Sequence, residues 1–191
     1  MSIDIALRAA LAAPSPGVLR DDLDPHEFDT ITPAAVLVPV TRRTRPGLIL
    51  TVRHGDLRNH AGQVAFPGGR IDPGESHEEA ALREAFEELA LRARDVDLIG
   101  ALDPYLTGSG FSVMPLVGLV MPDVPLEPNP GEVEEWFEAP LDRLLDPAHH
   151  HRERAEWKGR MRQYWRIDYE GYNIWGATAA MIVGLSKRMG A

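Results

Sequence analysis

Cysteine is absent from the 191 residues. Disulfides, thiolate zinc sites, iron–sulfur clusters and a cysteine nucleophile are therefore excluded. Positive charge is in deficit, with 20 Lys+Arg against 29 Asp+Glu and a formal charge of -9. Nucleic acid is not an expected partner, because no surplus of cations is available to pair with phosphates. Aromatic residues make up only 7% of the chain, which points the same way. No stretch approaches the ~18 uncharged apolar residues that span a membrane, so no membrane association is expected. Asp4 and Arg8 interrupt the apolar residues of Met1 to Ala13. The start does not read as a signal peptide, and a cytoplasmic location is the expectation. No internal repeat is visible.

What is present is a hydrophobic content of 44%, enough for one globular domain with decorations. Residues 1–30 read as an N-terminal helix and acidic connector, and residues 31–191 as the main domain. Ile3 to Leu11 has apolar residues at helical spacing and stops before Pro14-Ser15-Pro16-Gly17. Such a helix suits packing, or the surface of a homodimer. Ala34 to Val40 and Leu48 to Val52 read as strands joined by the basic loop Thr41 to Gly47. A Gly- and Pro-rich segment from Leu57 to Gly74 holds one short strand at Gln63 to Phe66. Glu78 to Leu91 is the clearest helix, and Asp97 to Leu102 and Val113 to Val120 read as strands.

Beyond residue 121 a Pro-rich and then acidic stretch, through Gly131 to Trp136, reads as loop. A short helix is expected at Leu141 to Leu145. Arg162 to Ile167 and Tyr169 to Tyr172 suggest a hairpin around Asp168, and Thr178 to Met189 a final helix ended by Gly190. The run His149-His150-His151 follows Asp146-Pro147 and reads as loop rather than as a metal site. Helices and strands mixed without strict alternation give an α/β or α+β domain.

On a helical wheel, Leu82, Ala85, Phe86 and Leu89 share a sector of roughly 100°, a core-facing stripe. Glu84, Glu87 and Glu88 share the opposite side, where like charges repel. They form either a solvated acidic face or a site for a hard divalent cation. The context favours the second. Gly69-Arg70-Ile71-Asp72-Pro73-Gly74-Glu75, seven residues, then Arg83-Glu84-Ala85-Phe86-Glu87-Glu88-Leu89-Ala90-Leu91 resembles the Nudix box, G-x5-E-x7-R-E-U-x-E-E-x-G-U with U aliphatic. Ala90 stands where the motif has its last glycine.

The resemblance implies a mixed sheet sandwiched between α-helices, with the box as loop–helix–loop. It implies hydrolysis of a nucleoside diphosphate linked to another group, with Mg²⁺ or Mn²⁺ as cofactor. Glu84 and Glu88 would be the main metal ligands, Glu87 a further one, and the Gly69 carbonyl another. An Arg83–Glu75 salt bridge would fix the loop and aim Glu84. The base that takes the proton of the attacking water would be a Glu of the helix, or an acidic residue of a later loop, with Glu132, Glu134 and Glu135 as candidates.

Upstream, Leu50-Thr51-Val52-Arg53-His54, then Arg58, Gly62 and Phe66-Pro67-Gly68-Gly69, is similar to the additional motif of coenzyme A pyrophosphatases within that superfamily. His54 replaces the usual Ser or Ala. The two motifs span residues 49–69 and 69–91, and Ile174 to Thr178 is similar to the same subfamily. This implies coenzyme A or a derivative as substrate, cleaved to 3′,5′-ADP and the 4′-phosphopantetheine part. Arg53 and Arg58 are suited to phosphate oxygens, and Gly68 and Phe66 complete the expected substrate contacts, although Phe66 also fits a core position. The alternatives are another nucleoside diphosphate derivative as substrate (ADP-ribose, NADH or a dinucleoside polyphosphate), or a non-catalytic module that senses coenzyme A or a nucleotide.

Overall fold

The computed structural model describes residues 2–14, 28–55, 62–157 and 159–190. In chain order its elements are α1 (Ile3–Ala12), β1 (Thr32–Thr41), β2 (Gly47–Arg53), β3 (Val64–Ala65), β4 (Gly68–Arg70), α2 (His77–Leu89), β5 (Val96–Ala101), β6 (Tyr105–Leu106), β7 (Phe111–Val120), β8 (Val133–Pro140), α3 (Leu141–Leu145), β9 (His151–Trp157), β10 (Arg160–Tyr169), β11 (Tyr172–Trp175) and α4 (Gly176–Arg188).

Strand β1 organises the rest. Its alternate residues bury on opposite faces: Ala34, Val38 and Val40 join a core shared with α1, α3 and α4, while Ala35 and Leu37 join a second core beneath α2. A strand apolar on both sides belongs inside a sheet covered on both faces. Strand β7 runs parallel to β1 along its whole length, from Thr32↔Phe111 to Thr41↔Val120. The antiparallel strand β2 meets β1 only at Val40↔Leu48. Beyond that pair the two diverge, and the wedge is filled by β4 on β1 (Ala35↔Gly69) and β3 on β2 (Thr51↔Ala65). Strand β8 covers the other edge of β2, and β5 and β6 pair with β7. The result is the expected mixed sheet between helices. Strands β9, β10 and β11 form a separate antiparallel sheet, with β10 in the middle.

Helix α1 packs into the same core. Leu7 is fully buried, Arg8 and Arg42 both bond Asp97 (2.7 and 2.6 Å), and Arg188 of α4 donates to the Ala10 and Ala13 carbonyls. Most of the apolar face of this helix is thus used within the chain, while Ile5 stays exposed.

Four expectations are corrected. The acidic stretch is largely strand: β8 pairs with β2 from Gly47↔Pro140 to Arg53↔Val133, with Val133 and Ala139 buried and Glu134 and Glu135 exposed. Charge on one face hid a strand whose backbone completes the ladder. The β10–β11 turn falls at Glu170-Gly171, not around Asp168, which pairs with Asn173. Two consecutive residues at positive φ (45° and 89°) make the tight turn that suits strand twist. His151 opens β9, while His150 bonds the Leu144 carbonyl (2.8 Å) and His149 faces Asp146 (3.6 Å).

The buried face of α2 is Ala80, Ala81, Ala85, Glu88 and Leu89, rotated by roughly 80–90° from the expected stripe. Phe86 is 54% exposed. Small Ala81 and Ala85 side chains let the helix lie close to β1, leaving no room for the ring.

Candidate active site

Helix α2 begins at a capping box: the Ser76 hydroxyl accepts the Glu79 N–H (3.2 Å) and the Glu79 carboxylate accepts the Ser76 N–H (2.8 Å). It ends at Ala90 in the left-handed region, φ 54°, its N–H bonded to the Phe86 carbonyl at 2.8 Å. Between these ends, Arg83 is the hub. Its five N–H groups reach Glu75 twice (2.8 and 3.0 Å), Glu84 (2.9 Å), Glu87 (3.0 Å) and the Arg70 carbonyl (3.0 Å). This guanidinium binds the loop that precedes the helix to the carboxylates on it. Together with the Asp72 N–H it holds the Glu75 carboxyl below its ordinary range.

The three box glutamates do not share one environment. Glu87 is half exposed, Glu84 is largely covered, and Glu88 is only 2% exposed. Burial pushes Glu88 up to about 8, with the Glu84 and Glu132 charges adding to it, while Arg53 and the Gly68 N–H oppose. Burial likewise raises Glu84, and the Arg83 bond opposes it.

Arg53 ends β2 where the β2–β8 ladder shifts register, and its Nη1 lies 3.9 Å from Glu88 Oε1. A shift of this kind re-aims a side chain beside a site. The Arg53 Nε is buried and makes no hydrogen bond. Gly68 of β4 admits no side chain, and Gly69 admits one only if the Glu84 carboxylate moves away. A Cβ on Gly68 would strike the β1 backbone at Ala35 and Val36, and one on Gly69 would lie 2.5 Å from Cδ of Glu84. Glycine at 69 therefore lets the Glu84 carboxylate sit against the main chain.

The other expected residues separate. Phe66 is 3% exposed and belongs to the core, so it offers no face to a ligand. Arg58 lies outside the described residues. Of the loop acids, Glu132 acts on both Glu84 and Glu88, whereas Glu135 bonds Tyr172 and Glu134 approaches Gly55.

Sequence reasoning missed Asn129, whose N–H donates to the Glu88 carbonyl (2.9 Å) and whose carbonyl accepts the Glu132 and Val133 N–H groups. The Glu132 carbonyl in turn accepts the His54 N–H at 2.8 Å. The signal was Asn129-Pro130-Gly131, a turn sequence.

A mixed sheet with helices on both faces, a glycine strand against a glutamate helix and an arginine-locked loop define the class. The chain belongs to the Nudix family, whose NUDIX domain matches residues 31–159. It is a Nudix hydrolase, and so a pyrophosphohydrolase of nucleoside diphosphate derivatives.

It is 46% identical over 158 residues to the Nudix hydrolase NudL of Cronobacter sakazakii, covering 82% of each chain. It is 43% identical over 166 residues to NudL of Salmonella newport, covering 86% of each. The MutT protein of Methanosarcina mazei Go1 shares the fold, with a TM-score of 0.50 and 20% identity over 62% of this chain and 83% of that one.

Nudix hydrolases use divalent metal ions such as Mg²⁺ or Mn²⁺. Among the described residues, no three acidic or histidine side chains converge as ligands: Glu84 and Glu87 are turned onto Arg83, and Glu88 towards Arg53. The donor chemistry nevertheless fits. The oxygens are hard, and Glu88 is a buried carboxylate whose compensating neighbours are a distant guanidinium and one N–H. No helix among the described residues is long and apolar enough to cross a membrane.

Proposed function

We propose that the chain hydrolyses the diphosphate bond of coenzyme A, or of its acyl or oxidised derivatives, to 3′,5′-ADP and the 4′-phosphopantetheine moiety. One observation carries this reading: Arg53, from the upstream motif, comes within 3.9 Å of the box residue Glu88. Two sequence motifs thereby share one site. Coenzyme A carries a 3′-phosphate besides its diphosphate, and the Arg53 guanidinium beside the box suits phosphate oxygens.

Glu84, Glu87 and Glu88 would hold Mg²⁺ or Mn²⁺ together with Gly69, and the ion would supply charge neutralisation of the phosphates and acidification of water. The rest falls to the chain itself. With its net charge of -9 the protein repels a polyanion, so Arg53 works against a long-range barrier. Arg83 is a positioning residue that fixes Glu84 and the Glu75 loop. Glu132, whose charge reaches Glu84 and Glu88 and whose backbone is tied to His54, takes the proton from the attacking water.

Product analysis tests this reading. With Mg²⁺ or Mn²⁺ present, coenzyme A, acetyl-coenzyme A, ADP-ribose, NADH and a dinucleoside polyphosphate are offered in parallel. 3′,5′-ADP is expected from the coenzyme A samples well before cleavage of the others. Faster cleavage of ADP-ribose or NADH overturns the substrate assignment and leaves the reaction class standing. Binding of coenzyme A without any cleavage would point instead to a sensing module.

A further inference from the structure

The segment that leads into β8 is fastened to helix α2 before the strand begins. The Glu127 N–H donates to the Leu89 carbonyl and the Asn129 N–H to the Glu88 carbonyl, each at 2.9 Å. Both acceptors lie in the last turn of α2, where carbonyls lack partners within the helix. On its other side the segment joins β2: the Glu132 carbonyl accepts the His54 N–H, and Val133 pairs with Arg53. The four residues Asn129 to Glu132 therefore bridge the box helix and the upstream motif.

Within this bridge the main chain makes a β-turn, the Glu132 N–H donating to the Asn129 carbonyl at 3.0 Å with Pro130 in the second position. The turn fixes the Glu132 backbone but leaves its side-chain torsions free. Glu132 raises both Glu84 and Glu88, and like charges favour rotamers that carry its carboxylate away from them. The Asn129 side chain opposes that drift. Its Nδ2 donates to Glu132 Oε1 at 3.4 Å, a long bond strengthened by the carboxylate acceptor. The amide is held in this sense because its Oδ1 accepts the Gly131 N–H at 3.1 Å. Turned over, it would set a donor against an N–H and an oxygen against a carboxylate.

We infer that Asn129 is a positioning residue for the hydrolysis, its side-chain amide holding the Glu132 carboxylate beside the box glutamates, where the attacking water gives up its proton. The inference rests on Glu132 as the group that takes that proton. An amide suits the task, because a neutral donor orients the carboxylate without the positive charge that would make it a weaker base. The same residue also fixes the Glu132 backbone through its carbonyl and anchors the turn to Glu88 through its N–H. Only the side-chain bond is open to removal by substitution, so the two roles separate by experiment.

The test compares Asn129→Ser and Asn129→Asp in the full chain, each alone and combined with Glu132→Gln. Serine still accepts the Gly131 N–H but is too short to reach Glu132. Aspartate keeps the Oδ1 acceptor and replaces the donor by a second acceptor. Single-turnover rates with Mg²⁺ are followed on whichever compound of the panel above is cleaved fastest, with KM and a urea melt alongside. Asn129→Ser should lose at least tenfold in rate, with KM within about twofold of wild type and the urea midpoint unchanged. Glu132→Gln should lose about 100-fold or more, and neither Asn129 substitution should lower that rate further. Asn129→Asp should lose at least as much as the serine variant and decides the matter should that variant not fold. A rate within about twofold of wild type, or an equal loss with and without Glu132, overturns the positioning role and leaves Glu132 as the proton acceptor. Wild-type turnover in Glu132→Gln removes Glu132 from the reaction, and this role with it.

Discussion

Replacing Gly69 by alanine should separate chemistry from folding. Gly69 lies in β4 at an ordinary negative φ, so its backbone accepts an L residue without strain. The three atoms nearest the new methyl all belong to the carboxylate of Glu84: Oε1, then Cδ at 2.5 Å and Oε2 at 2.8 Å. An ordinary contact needs about 3.4 Å or more, so the carboxylate must retreat by about 1 Å. That retreat is open to it, because it is the far end of a flexible side chain. Folding stability should therefore change by less than about 1 kcal/mol, with the entropy lost by the unfolded chain offsetting part of the cost. Displacement of a reacting group by about 1 Å costs on the order of 100-fold in rate. Metal-dependent pyrophosphohydrolase turnover is measured beside a urea melt on the same preparation. Turnover within threefold of wild type would refute the idea that the Glu84 position matters. A melt shifted by several kcal/mol would show that the backbone, and not Glu84, requires the glycine.

Gly68→Ala makes the contrast, since its Cβ would lie 2.6 Å from Cα of Val36 in the central strand. A loss of about 3 kcal/mol is expected in the same melt, and a loss below about 1 kcal/mol would contradict the packing at the β1–β4 pair. Ala90→Gly relieves a residue held at φ 54° and should stabilise the fold by up to about 1 kcal/mol, read as a higher urea midpoint; a lower midpoint would count against it.

Arg188 and Asp103 form an ion pair held by three hydrogen bonds, with side chains 8% and 2% exposed. Arg188→Met strips these bonds from the buried Asp103 carboxylate and should cost about 3–5 kcal/mol, with faster amide exchange in α1; unchanged exchange there would dissociate the pair from the docking of that helix.

Glu88 gives a pH signature in chelator. Its folded value, about 8, lies above the unfolded value near 4.5, so the folded state keeps a proton that the unfolded state has released between these limits. Stability falls as pH rises through that window, by about 3–5 kcal/mol in total, and Glu88→Gln should flatten the slope. Parallel curves for wild type and variant would refute it.

The sequence by itself determined the periodic elements and the chemical inventory. The box helix, the β1–β2 hairpin with its basic loop, β7, the short α3 and the final helix follow from local spacing and breakers, which act over a few residues. The Arg83–Glu75 partnership was legible too, because both residues belong to one continuous motif.

Only the tertiary structure decided how deeply each glutamate is buried. Depth depends on which face of α2 meets β1, and that is set by the room available for Ala81 and Ala85 rather than by hydrophobic periodicity. Strand β8 was hidden because pairing along β2 supplies its stability, and the sequence of one partner does not record the other. The same holds for Arg53 beside Glu88 and for Glu132 beside the helix. Each is a meeting of residues far apart in the chain, fixed by the register of one sheet.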